Sequence, residues 1–137
     1  MEYKVLENED IDLMQYFVDD ENTKYEKENL IKFINDKNDY GFIAKLDNKI
    51  LGFAYGYTLQ RPDGKKDFYL HAIDIMSEYQ GKGYGTSFMN YIKEYIKKME
   101  CRKMFLITNK SNVSACKCYE KAGGVNNADD EIVYVIE

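Results

Sequence analysis

Between Ile73 and Thr86 the chain passes from an apolar run, through three glycines in five residues, into a helical pattern: Ile73-Asp74-Ile75-Met76-Ser77-Glu78-Tyr79-Gln80-Gly81-Lys82-Gly83-Tyr84-Gly85-Thr86. No other passage limits the possible folds so strongly. The glycines let the backbone turn tightly and approach a ligand closely. The first amides of the helix have no partner within it and point outward as donors to an anion. The helix dipole adds to that attraction. The amides of Gly81, Lys82, Gly83, Tyr84, Gly85 and Thr86 are therefore read as a cradle for a pyrophosphate. No Walker lysine-serine pair and no cluster of metal ligands accompanies them, so the cradle is expected to work without metal. The Lys82 side chain reads either as a phosphate contact or as a solvated loop charge.

The rest of the chain supplies elements to surround this loop. Tyr3–Leu6 reads as a short strand and Asp10–Phe17 as a helix opened by a capping acid. Lys24–Asn38 carries Leu30, Ile31, Phe33 and Ile34 at helical spacing. The acidic stretch Asp19-Asp20-Glu21 lies in the loop between those helices. Tyr40–Leu46 and Ile50–Leu59 read as strands, and Phe68–Met76 as a central strand with apolar residues on both faces. Arg61-Pro62-Asp63-Gly64-Lys65 reads as a hairpin turn. Gly83–Met99 is predicted helical, Lys103–Asn109 a strand, Asn112–Ala122 a helix, and Ile132–Ile136 a final strand. One domain spanning residues 1–137 follows, of mixed α/β (α+β) class.

A second motif lies downstream: Asn112-Val113-Ser114-Ala115-Cys116-Lys117-Cys118-Tyr119-Glu120-Lys121-Ala122-Gly123. Together, Gln80-x-x-Gly83-x-Gly85 and this segment resemble the acyl-CoA loop and the N-x-x-A-x-x-x-Y-E-K-x-G segment of the GNAT superfamily of N-acetyltransferases. The resemblance implies a central, mixed, mostly antiparallel twisted sheet with helices on both faces, and acetyl-CoA as cosubstrate. It implies that Asn112, with Ala115 in the same segment, contacts the pantetheine arm. It implies that Tyr119 protonates the departing thiolate, and that the backbone of Ile73 and Ile75 pairs with pantetheine. Gln80 stands where arginine is common, and Gly124 where most members carry Phe. The C-terminal pattern is closest in shape to the GNAT-type aminoglycoside 3-N-acetyltransferase-like branch, although Ala72 occupies the place of that branch's strand acid.

Acetyl transfer to an amine requires a group to take the amine proton. His71 is the single histidine, the residue type that most often serves as a base at neutral pH. Tyr69-Leu70-His71-Ala72 resembles the corresponding strand of serotonin N-acetyltransferase, whose second histidine falls on His71. Asp74 is the rival: a carboxylate in an otherwise apolar strand is costly to bury unpaired and must face a cavity, water or a partner. Simple alternation puts positions 71 and 74 on opposite faces, and on that ground His71 is favoured.

A net charge of −5, with 19 basic and 24 acidic side chains, gives no basic stripe for nucleic acid and is compatible with a cationic amine. No apolar run has membrane length and the first residues form no signal peptide, so a cytoplasmic protein without membrane partners is expected. Three cysteines without paired spacing fit reduced thiols. The expected substrate is a small cationic amine, aminoglycoside-like. A protein or peptide amine, or a non-catalytic acyl-CoA-binding regulatory role, are the alternatives. An apolar strand at Ile132–Ile136, left at a sheet edge, predicts a homodimer.

Overall fold

The computed structural model describes all residues, 1–137. Five strands form one sheet in the order of the chain: β1 (Glu2–Val5), β2 (Asp39–Leu46), β3 (Lys49–Gln60), β4 (Lys66–Ile75) and β5 (Met104–Phe105). The first four pair antiparallel, and β5 joins β4 in parallel. The two long hairpins follow from their turns. Asp47 and Asn48 both adopt positive φ, +49° and +61°, as a tight turn matched to strand twist requires. Arg61 and Lys65 close the second hairpin with a 2.8 Å backbone bond.

Helices cover both faces. One face carries α3 (Tyr84–Lys98) and α4 (Val113–Lys121); the other carries α1 (Ile11–Met14) and α2 (Lys27–Asn35). On α3, Phe88, Met89, Ile92 and Ile96 recur on one stripe and are buried against Phe42, Leu51, Phe68 and Leu70 of the sheet. Each such large side chain contributes about 1.5–3 kcal/mol by leaving water. The second core holds Met14, Phe17 and Leu30 against Ile43, Ile50 and Phe53. Buried Asp10 is neutralised by Lys4 at 2.9 Å and Lys45 at 3.6 Å, and it accepts the Glu7 amide at 3.0 Å. A buried carboxylate needs such partners.

Helices are shorter than their sequence patterns: α1 is a single turn after a 3-10 segment at Asn8–Asp10. The sixth strand expected at Ile132–Ile136 does not form. These residues are exposed and make no backbone hydrogen bonds. A strand is held by its ladder, and no neighbour lies beside this one within the chain.

The feature that most affects the site is a bulge in β4. Gly56 faces Leu70 and Tyr55 faces Ala72, so His71 has no partner across the ladder. The extra residue reverses the alternation. Phe68 and Leu70 before it, and Ile73 and Ile75 after it, pack into the same core under α3. Positions 71 and 74 are therefore on the same face, that of α1 and α2. The expectation that they oppose each other is corrected by this one unpaired residue.

Candidate active site

The glycine loop is built as its sequence demands. Gly81 and Gly83 have φ of +77° and +86°, the left-handed region that side chains strain to enter. Gly83 caps α3. None of the amides from Gly81 to Thr86 donates within the chain, so they remain available to an anion at the positive end of a 15-residue helix. Gln80 does not face that cradle: its carboxamide donates to the Ile75 carbonyl at 2.7 Å and ties the loop to the end of β4. Lys82 places its ammonium 5.7 Å from the centre of the Tyr79 ring.

Beside the loop the sheet is split. β4 and β5 pair only at Phe68–Met104 and Tyr69–Phe105. Beyond them β4 continues through Ile73 and Ile75 with no strand on that side. This leaves main-chain groups exposed along the edge, the kind of edge an extended ligand can join. On the far side of the split, α4 presents Tyr119. Asn112 caps α4, its Oδ1 accepting the Ala115 amide at 3.2 Å. At the other end Gly123 donates to Glu120 at 3.0 Å and Gly124 to Tyr119 at 2.8 Å, a double closure that fixes the last turn. A side chain at Gly124 would put its Cβ 2.8 Å from the Tyr119 carbonyl oxygen. The departure from Phe at this position thus belongs to a tighter helix end. Burial pushes the Tyr119 hydroxyl up to about 12, with Cys118 and Asp74 adding to the shift.

Asp74 faces the opposite helices. Burial raises its carboxyl to about 6, and Asp19, Asp20 and Glu21 add like charge. Those acids are held in place by specific bonds. Asp19 accepts from the amides of Glu21 at 3.0 Å and Thr23 at 2.9 Å and from the Tyr25 hydroxyl at 2.7 Å. Burial opposes ionisation of Asp19, but these donors outweigh it and hold the carboxyl below its usual range. Asp20 accepts from Ser77 at 3.2 Å, tying the acidic loop to the end of β4. Burial, then the bond to Asp19, pushes the Tyr25 hydroxyl up. Burial also raises Tyr55, with Tyr57 and Asp74 adding to it.

His71 is exposed. Its ring packs between Tyr55 at 5.3 Å, Tyr69 at 5.3 Å and Tyr57 at 5.9 Å, and its nitrogens bond to no other side chain. A cavity of about 240 Å³ adjoins this aromatic wall, lined by Tyr25, Phe33, Phe53, Tyr55 and Tyr57 with Lys24 and Glu26 at its rim. Sequence reasoning missed Asp19, Asp20, Glu21, Tyr25 and Tyr55 as parts of the site. The acidic run is visible in the sequence, but its pinning against β4 comes from contacts distant along the chain.

A glycine cradle at a helix start, a split between two parallel strands and a tyrosine across the split together form one site. The model of the Acetyltransferase (GNAT) family matches residues 7–124. The chain belongs to that family. In Bacillus subtilis (strain 168) the uncharacterized protein YdhI is 38% identical over 83 residues, 61% of this chain; the match spans 48% of that relative's length. Among solved structures, an aminoglycoside acetyltransferase from an uncultured soil metagenomic sample, in complex with sisomicin, superposes with a TM-score of 0.81. It is 18% identical, over 99% of this chain and 94% of that one. A ribosomal-protein-alanine N-acetyltransferase from Brucella melitensis biovar Abortus 2308 superposes with a TM-score of 0.77 at 17% identity, over 100% of this chain and 99% of that one. These two likenesses are of fold.

Proposed function

We propose that the chain transfers the acetyl group of acetyl-CoA to the primary amine of a small cationic molecule, with Asp74 as general base and Tyr119 as donor to the leaving thiolate. The observation that carries this reading is the position of Asp74. It lies half-buried on the strand beside the split, against three other carboxylates, and its raised pKa of about 6 leaves it ionised yet basic at neutral pH. The carboxylates attract an ammonium group, and the tyrosine faces of the adjoining cavity favour a cation further.

In the reaction the amine gives a proton to Asp74, directly or through water. The free nitrogen lone pair attacks the thioester carbonyl carbon. The carbon–sulfur bond then breaks, and CoA leaves as a thiolate that takes a hydrogen bond or proton from Tyr119. The acetamide forms without a covalent enzyme intermediate, because holding both reactants in place supplies much of the acceleration. The Gly81–Thr86 amides would hold the pyrophosphate. At a pKa of about 12 the Tyr119 hydroxyl stays protonated throughout the working range and is always a donor.

The sequence alone favours His71 as the base. Its exposure and purely aromatic neighbours support a different role, as part of the wall against which the amine rests. Release of CoA against a panel of amines, aminoglycosides included, tests the reaction. Turnover is expected with cationic primary amines and not with neutral ones. Acetylation of peptides with no small amine accepted would overturn the substrate class. The pH profile assigns the base. kcat/KM should rise through an ionisation at about 6 and lose that limb in Asp74→Asn, with a fall of about 10²–10⁴-fold. In His71→Gln the limb should persist; its loss there would return the role to His71.

A further inference from the structure

The cavity beside the aromatic wall has a lining that the hydrophobic cores do not explain. Phe53, Tyr55 and Tyr57, alternate residues of β3, supply one wall, and Tyr25, Leu30 and Phe33 supply the other from α2 and the residues before it. Phe33 and Tyr57 pack into neither core. Phe33 instead stands edge-on to Tyr55 at 5.9 Å and to Tyr57 at 6.3 Å. Tyr25 meets Phe53 in the same way at 5.1 Å, and its hydroxyl is already committed to Asp19 at 2.7 Å. Rings held at right angles offer a flat guest a face on one side and an edge on the other.

Size, polarity and position limit that guest. The volume is about 240 Å³. An apolar cavity of about 150 Å³ holds benzene, and pockets for drug-sized molecules begin at about 300 Å³. One ring with a short chain falls between these limits. Lys24 and Glu26 are the charged residues of the lining and have opposite signs, so a guest with several ammonium groups gains no net attraction inside. A hydroxyl-rich guest would bury polar groups with few partners, which is costly. The charge lies next door. Phe53 is the ladder partner of Asp74, and side chains directly opposite stand about 4.5–5.5 Å apart at Cβ. The apolar slot therefore begins beside the proposed base.

We propose that the cavity holds the body of the acceptor, a single flat apolar ring joined by a short chain to the amine at Asp74, and that Phe33 and Tyr57 set this selectivity. This acceptor presupposes the transfer reaction proposed above; it narrows cationic amines in general to monoamines that carry a ring. The ammonium stays at the mouth, where Asp74 takes its proton, while the ring leaves water between Phe33 and the β3 tyrosines. A branched polycation of several rings exceeds the volume.

The test compares CoA release with ethylamine, phenylethylamine and sisomicin at saturating acetyl-CoA. Burying the ring should raise kcat/KM for phenylethylamine about 10–100-fold over ethylamine, mostly through KM. Sisomicin should not exceed ethylamine. Phe33→Ala should cut the preference for the ring about tenfold, and Phe33→Leu should restore part of it. Phe33 lies outside both cores, so these variants retain the fold, checked by circular dichroism. Calorimetric titration of phenylethylamine into the protein with CoA bound reads the cavity without turnover. Binding that Phe33→Ala weakens, in a protein that acetylates no amine, would overturn the transfer reaction and uphold the cavity's occupant. Ethylamine or sisomicin acetylated at least as well as phenylethylamine, or a preference indifferent to both Phe33→Ala and Tyr57→Ala, would overturn the occupant and leave the reaction standing. Neither binding nor turnover would overturn both.

Discussion

The two sides of the split sheet are built from different materials. The side facing α3 is a backbone site: its working groups are amides, and its side chains are glycines chosen for their absence. The side facing α1 and α2 is a side-chain site, composed of Asp74, the carboxylates of the 19–21 loop and a wall of tyrosines. A backbone site can be specified by a few adjacent residues, because the geometry it needs is local. A side-chain site of this kind is assembled from four separate segments, and nothing in any one of them announces it. The first resists change through conformation, the second through charge and solvation.

Substitutions can separate these modes of construction. The largest effect is expected for Gly83→Val. The space around Gly83 is open, with no atom within 4 Å of where a Cβ would stand, so crowding by the protein is not the cause. The φ of +86° excludes a β-branched residue, and the side chain would occupy the phosphate space. Acetyl-CoA binding should become undetectable by calorimetry, while the fluorescence and unfolding of the tyrosine-rich side stay those of the parent. Intact binding would mean that the cradle is not held by its backbone shape.

Tyr119→Phe belongs to the seam between the two sides. It removes one hydroxyl and leaves the ring in place. A fall in kcat of about 10²-fold is expected, with acetyl-CoA affinity nearly unchanged, since the hydroxyl acts as the thiolate forms. An unaltered kcat would assign the thiolate's proton to water.

The smallest effect is on stability, and it has an unusual sign. Folded Asp74 keeps its proton to about pH 6, whereas an unfolded aspartate releases it at about 3.9. The folded state binds the extra proton between these values, so stability falls as pH rises through that window and the loss is complete above it. Asparagine cannot ionise. Asp74→Asn should therefore be more stable than the parent above pH 6, by about 1–2 kcal/mol after allowance for partial solvent screening. The difference should disappear below about pH 4. Thermal melts at pH 4 and pH 8 read this directly, and a destabilised variant at pH 8 would show that burial and like charge do not raise this carboxyl as described.

The same division governs how much can be read from the sequence. The glycine loop, α3 and the Asn112–Gly123 segment are legible because each is a short pattern whose conformation is fixed by its own residues. The two hairpins are legible from turn chemistry and strand periodicity. The relation of His71 to Asp74 is not, because a bulge leaves no mark in a run of alternating residues; it is decided by what Tyr55 and Gly56 face across the ladder. The strand at 132–136 has the right composition, yet composition cannot supply a neighbour. Gln80 is where the motif places it, but its carboxamide bonds to the Ile75 carbonyl rather than facing the cradle, a choice that depends on the path of the loop.

The unpaired residue in β4 gives that strand an uncommon kind of vulnerability. Most positions in a protein carry information in their identity, and length can vary where the surface permits. Here it is the way one extra residue is accommodated that carries the message. Removing one residue between Leu70 and Ile73 would remove the bulge and leave Ile73, Asp74 and Ile75 on their present faces. Keeping every residue but forcing a regular ladder would turn the strand over: the carboxylate would enter the oily interior under α3, and Ile73 and Ile75 would be turned out toward the substrate. Such a chain would have the same sequence and every reactive group, yet its catalytic and structural faces would have changed places.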